Sequence, residues 1–112
     1  MNTSADSRLH PLIAAALEAQ SRAYAPYSQF QVGAAILDAT DRIFTGANVE
    51  NASYGLTLCA ERVAASAAVT AIAAAPKHNW RAIAVASRGG VTPCGACRQF
   101  LMEFAPDMEW TG

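Results

Sequence analysis

The sequence predicts an α/β fold, a sheet flanked by helices. Three observations predict it. Apolar residues recur at helical spacing near the N-terminus and again in an alanine-rich central stretch. Three short runs hold apolar, β-compatible residues bounded by turn signals. Helix-like and strand-like segments interleave in the order α-β-β-α-β-α.

The first element is a helix over Ser7 to Ala23. Leu9, Leu12, Ile13, Ala16 and Leu17 fall on one face, with Arg8, Glu18 and Arg22 elsewhere on the wheel. Pro11 is tolerable in a first turn, and the stretch Tyr24–Ser28, containing Pro26, stops the helix. Phe30 to Leu37 reads as a strand, with Gly33 marking a bulge or a close backbone approach. Asp38 to Asp41 is a turn and Arg42 to Val49 a second strand, so the two form an antiparallel hairpin. Glu50 to Leu58 is a polar loop. A helix apolar nearly all round runs from about Cys59 to Ala75 and ends at Pro76; that pattern implies burial on several sides. Its marked face holds Val63, Ala64, Ala67, Ala68, Ala71 and Ile72. Arg81 to Ser87 reads as a buried strand, Gly95 to Phe104 as a helix stopped by Pro106, and Asp107 to Gly112 as the beginning of another strand.

The 112 residues suit one domain with one core, and 53% hydrophobic against 15% charged residues excludes disorder. Nearly a quarter of the chain is alanine. Such side chains allow close packing but bury little area each, so burial is expected to continue into neighbouring subunits. The net charge of −1, with no basic run, weighs against a nucleic-acid partner. No apolar run has the length of a membrane span and no signal-peptide pattern opens the chain, so a soluble cytoplasmic protein is expected.

Three cysteines, Cys59, Cys94 and Cys97, argue against a disulfide framework in that compartment. Taken singly they read as a small buried hydrophobe and a redox or structural pair. Their surroundings point elsewhere. Cys59-Ala60-Glu61-Arg62 and Pro93-Cys94-Gly95-Ala96-Cys97-Arg98 each stand at a helix start after a strand and loop. Both starts are expected at one end of the sheet, where ligands bind in such folds. Zinc prefers thiolate and imidazole in a tetrahedral shell, and three protein ligands leave one position for water, the pattern of a catalytic site. His10 and His78 lack ligand spacing and read as surface residues. Glu61 is either an acidic first-turn residue complementing the helix dipole or a general acid–base beside the metal's water. A lone CxxC is weak; a CxE at one helix start with a PCxxC at a second is the zinc deaminase pattern, with three cysteine ligands as one variant.

On four stretches the chain resembles the small homotetrameric zinc-dependent cytidine deaminases: Tyr24–Ala35 (YAPYSQFQVGAA), Phe44–Gly55 (FTGANVENASYG), Cys59–Arg62 (CAER) and Pro93–Phe100 (PCGACRQF). NVENASYG exceeds what a zinc motif needs and points to a nucleoside. The resemblance implies a three-layer α/β/α sandwich around a mixed sheet, one domain over residues 1–112, C-terminally short of the family's last strands and final helix. It implies one zinc ion per chain on Cys59, Cys94 and Cys97, with Glu61 carrying protons. It implies that Asn48 and Glu50 bind ribose hydroxyls, that Phe30 packs on the base, that Ala60 meets the base through its backbone, and that Ala52 and Tyr54 lie near the substrate. Arg62, with Gln99, would donate to the thiolates and restore the Lewis acidity that three negative sulfurs remove. The implied reaction is hydrolytic deamination of cytidine and 2′-deoxycytidine by a zinc-bound hydroxide, a step of pyrimidine salvage, in a homotetramer. The sequence admits two other readings: a zinc-binding truncated homologue weak or lacking in activity, and a deaminase of another nucleoside analogue. Polynucleotide editing is disfavoured by the charge.

Overall fold

The computed structural model describes residues 9–71, 80–87 and 109–111. The elements are α1 (Leu9–Gln20), β1 (Val32–Asp38), β2 (Ile43–Ala47), a single 3-10 turn (Tyr54–Leu56), α2 (Ala60–Ala71), β3 (Trp80–Ser87) and β4 (Glu109–Thr111). The strands form one sheet in the order β2-β1-β3-β4. β1 pairs antiparallel with both β2 and β3, while β4 joins β3 in parallel, so the sheet is mixed. The expected helix over 95–104 lies outside the described residues, as does the end of the central helix beyond Ala71.

Two-residue alternation along the strands builds the layers. Ala35 and Leu37 of β1 and Ala82, Ala84 and Ala86 of β3 face α1, where Leu12 and Ala16 cover them. Ala34 and Ile36, with Ile83 and Val85, face the other way and meet Ala60, Ala64, Ala65 and Ala68 of α2. A helix on each face of the sheet is the α/β/α sandwich expected from the sequence.

Alanine and glycine set how closely those layers approach. A Cβ at Gly33 would lie 2.1 Å from the Ala16 carbonyl oxygen, and one at Gly46 would lie 2.3 Å from the Ala64 nitrogen. The strand glycine therefore marks a close backbone approach to α1, one of the two readings its position allows.

The hairpin turn is held by Asp38. Its Oδ1 accepts from the Thr40 amide (2.9 Å), the Thr40 hydroxyl (2.9 Å) and the Arg42 amide (2.8 Å), and its Oδ2 accepts from Arg42 Nε (2.9 Å). Asp41 takes a left-handed backbone, φ 67°, a conformation aspartate tolerates better than most residues.

Some expectations from the sequence differ from the structure. Most of the described strand and helix boundaries shift by one to three residues, while the strand ending at Ser87 ends where expected, because element ends depend on tertiary pairing more than on local pattern. Of the predicted α1 face, Leu12 and Ala16 are buried, but Ile13 is 38% and Leu17 55% exposed. These two border a cavity of about 270 Å³ shared with Ala84 to Ser87 of β3. Along α2, Ser66, Ala67, Thr70 and Ala71 are exposed in the single chain, so the helix is buried on one side rather than several.

Candidate active site

The site region lies at the end of the sheet where β1 begins and β2 and β3 finish. Val32 pairs with Ser87 at that end, and Gly33 with Ala47. Past β2 the chain stays extended and is held on both sides. Tyr24 bridges Val49 in parallel, and Val49 bridges Leu58 antiparallel. The Val49 amide donates to the Leu58 carbonyl (2.9 Å) and the Leu58 amide returns to the Val49 carbonyl (2.8 Å). Asn48–Glu50 is thus tied by backbone to the residue before Cys59.

Between those points the loop closes on itself. The Asn51 amide donates to Thr57 Oγ1 (3.0 Å), and the Ser53 amide donates to Asn51 Oδ1 (2.9 Å). Cys59 then caps α2: its carbonyl accepts from the Val63 amide at 3.1 Å, the first bond of the helix. Arg62, one turn on, donates through Nη2 to the Thr57 carbonyl (3.3 Å) and to Cys59 Sγ (3.6 Å).

Glu61 sits in the first turn of α2 and is 5% exposed. Burial holds its carboxyl above the ordinary glutamate range, while its own backbone amide and the Arg62 charge pull the other way. A buried first-turn carboxyl costs free energy that a surface residue would not, which argues for a role beyond complementing the helix dipole.

Asn48 is 8% exposed, and both ends of its amide are engaged. Oδ1 accepts from the Val32 amide and Nδ2 donates to the Phe30 carbonyl, each at 2.9 Å. Glu50 Oε1 accepts from the Tyr27 and Ser28 amides, both at 3.0 Å, and Oε2 accepts from the Ser28 hydroxyl. The Ser28 hydroxyl, its amide and the Tyr27 amide together hold the Glu50 carboxyl below its usual range, against a smaller opposing effect of desolvation. Asn48 and Glu50 therefore reach the same segment, residues 27–32, from beyond the end of β2 rather than from within it. Capacity remains: one N–H and one lone pair on Asn48, and one lone pair on Glu50 Oε2.

Phe30 is half-buried and Ala60 buried, whereas Ala52 is exposed in a bend and Tyr54 opens the 3-10 turn. Cys94, Cys97, Gln99 and His78 lie outside the described residues, as do the side chains of His10 and Tyr54. Among the described residues, no three metal-ligating side chains gather together. The donors that are described suit zinc: a sulfur at a helix start, an arginine donating to it, and a buried carboxyl two residues on. Sequence reasoning missed Ser28, Tyr27 and Thr57, whose contributions are mostly backbone groups or a single hydroxyl. The only signal was a serine two residues before Phe30, a spacing that favours a local side-chain-to-backbone bond.

Residues 6–109 match the family model described as the cytidine and deoxycytidylate deaminase zinc-binding region. The chain is 50% identical over 99 residues to a Dictyostelium discoideum protein named "Probable cytidine deaminase", covering 86% of this chain and 65% of that one. It is 48% identical over 97 residues to a cytidine deaminase of Halalkalibacterium halodurans, covering 85% of this chain and 70% of the relative. The chain thus spans about two thirds of the length of these curated relatives. The crystal structure of cytidine deaminase from Burkholderia pseudomallei superposes with a TM-score of 0.82 at 48% identity, covering 90% of this chain and 80% of that chain. That from Mycobacterium tuberculosis gives 0.81 at 41% identity, covering 94% and 83%. With a family model matched over most of its length and relatives about half identical to it, the chain belongs to the cytidine and deoxycytidylate deaminase family.

Proposed function

We propose that this chain hydrolyses cytidine and 2′-deoxycytidine to uridine and 2′-deoxyuridine, releasing ammonia. The observation that carries this reading is Glu61: a carboxyl buried in the first turn of α2, two residues after Cys59, whose sulfur takes a donor from Arg62. Cys59, with Cys94 and Cys97, would hold zinc, which as a Lewis acid makes its water acidic near neutral pH.

Glu61 accepts one proton from the attacking water and delivers it to ring N3. The water oxygen bonds C4. Glu61 then carries the second water proton to the amino group, the C4–N bond breaks, and ammonia leaves. Such proton transfer contributes roughly 10²–10⁴-fold. Phe30 packs on the base, Ala60 meets it through the backbone, and Asn48 and Glu50 take the sugar hydroxyls with their remaining donor and acceptor capacity. Ala52 and Tyr54 stand near the sugar. Arg62 draws electron density from the Cys59 sulfur, aided by Gln99.

The native assembly in this reading is a homotetramer. Exposed Tyr24, Tyr27, Leu56 and Leu58 around the site supply apolar surface for it. The cytoplasm suits the protein because three thiols must stay reduced to ligate. Purified chain should consume cytidine, followed by ultraviolet absorbance, and carry about one zinc per chain on the same sample. Glu61→Gln should keep the zinc and lose turnover by at least about 10²-fold. Parent-rate deamination by that variant would remove Glu61 from the chemistry.

A further inference from the structure

We propose that Ser28 is a positioning residue of the sugar subsite, its hydroxyl fixing the Glu50 carboxylate and joining it to the backbone of Phe30. The proposal rests on the reading of Glu50 as a ligand of the 3′-hydroxyl.

Ser28 engages both oxygens of Glu50. Its amide donates to Oε1 at 3.0 Å and its hydroxyl donates to Oε2. The Tyr27 amide adds a second donor on Oε1, also at 3.0 Å. Two lone pairs on Oε1 are then used, and Oε2 keeps one. A carboxylate held at both oxygens cannot swing about its last bond, so its single open acceptor position has a fixed direction. Substrate binding then loses no freedom of this side chain.

The same hydroxyl accepts from the Phe30 amide at 3.0 Å. On the other side of that residue, Asn48 Nδ2 donates to the Phe30 carbonyl at 2.9 Å. Phe30 is thus gripped at its N–H by Ser28 and at its C=O by Asn48. The Glu50 and Asn48 side chains and the Phe30 backbone are thus joined in one hydrogen-bonded chain through Ser28. A hydroxyl alone completes it, because the position must donate to a carboxylate and accept from an amide at once.

The backbone between Ser28 and Phe30 requires such a clasp. Gln29 has φ 57°, a left-handed conformation that costs free energy for a side chain of its kind. Its amide donates to the Ala25 carbonyl at 3.0 Å, closing the turn. Loss of the Ser28 hydroxyl releases Oε2 and the Phe30 amide together, and this strained turn is left with less to hold it.

The test compares cytidine with 3′-deoxycytidine, which lacks only the 3′-hydroxyl, in the zinc-loaded protein. Ser28→Ala should lower kcat/KM for cytidine roughly tenfold, mainly through KM, as expected for a hydrogen bond to a charged group. Its effect on 3′-deoxycytidine should be several-fold smaller, so the preference for cytidine collapses. Ser28→Thr, which keeps the hydroxyl, should restore the preference. Zinc content and the thermal midpoint report the fold independently. Equal loss on both substrates, or no loss on either, overturns the proposal. So does a Ser28→Thr variant whose preference stays collapsed, which also serves if the alanine variant does not fold. Glu50→Gln separates the two readings. If it leaves the preference intact, the sugar role of Glu50 fails and the proposal fails with it. If it abolishes the preference while Ser28→Ala does not, only the role of Ser28 fails.

Discussion

Gly46→Ala adds one methyl group where β2 meets α2. The added Cβ would lie 2.3 Å from the Ala64 nitrogen, 2.8 Å from the Ala60 carbonyl oxygen and 2.8 Å from the Val63 Cβ, against an ordinary contact beginning at 3.4 Å. Strand and helix must therefore part by about 1.1 Å, and two of the three obstructing atoms are backbone. Neither Gly46 nor Gly33 takes a left-handed backbone, so the penalty is steric. Overpacking of this kind costs about 1–3 kcal/mol. The displaced helix carries Ala60, Glu61 and Arg62 in its first turn, and a misplacement of roughly 1 Å can cost about 10²-fold in rate. Gly33→Ala is the matched control. Its Cβ would meet the Ala16 carbonyl oxygen at 2.1 Å and the Gln20 nitrogen at 2.4 Å, so the helix that must move is α1, which carries no candidate site residue. Urea unfolding should show both variants destabilised. Cytidine turnover per folded molecule should fall about 10²-fold in Gly46→Ala and no more than a few-fold in Gly33→Ala. Equal losses, or parent activity in Gly46→Ala, would refute the claim that this glycine sets the position of α2 and of the proposed site residues on it.

Three further outcomes are expected. Asp38→Asn keeps an acceptor for the turn but loses the charge facing Arg42, half of whose side chain is in water, so it should cost about 1 kcal/mol at neutral pH. Burial alone would raise the Asp38 carboxyl; the hydrogen bonds from Arg42 and Thr40 outweigh it and leave it below its ordinary 3.8. The folded chain thus releases this proton more readily than the unfolded one. The stabilisation is present above 3.8 and fades as pH falls below it, so urea curves of parent and variant should converge in acid. Asn48→Ala leaves the Val32 amide and Phe30 carbonyl without that partner and should cost about 1–3 kcal/mol in the same assay, together with activity. Arg62→Lys replaces the planar guanidinium, whose Nη2 bonds both the Thr57 carbonyl and the Cys59 sulfur, with a compact ammonium on a differently shaped stem, and zinc competition with a chelator should show affinity weakened by about 10–100-fold.

Much of this molecule was legible in its residues. The strand runs before and after Asp38–Asp41 specified a hairpin because the turn is short and the flanking residues are β-compatible. The CxE and PCxxC motifs pointed to the zinc deaminase family that the family match shows, because few other chemistries need sulfur, carboxylate and helix start in that combination. Gly33 within a strand pointed to either a bulge or a close backbone approach, and the approach to α1 is the one that holds. Local order and covalent spacing determined these features, and a sequence records both. Only the tertiary structure decided what touches what. That Asn48 and Glu50 spend much of their hydrogen-bonding capacity on residues 27–32 depends on chain segments some twenty residues apart meeting at one sheet end. Which half of the α1 apolar face is covered depends on where β3 runs beneath it. The distance from Gly46 to α2 depends on alanines packed between layers. These are contacts between surfaces, and no periodicity or motif within one segment encodes them.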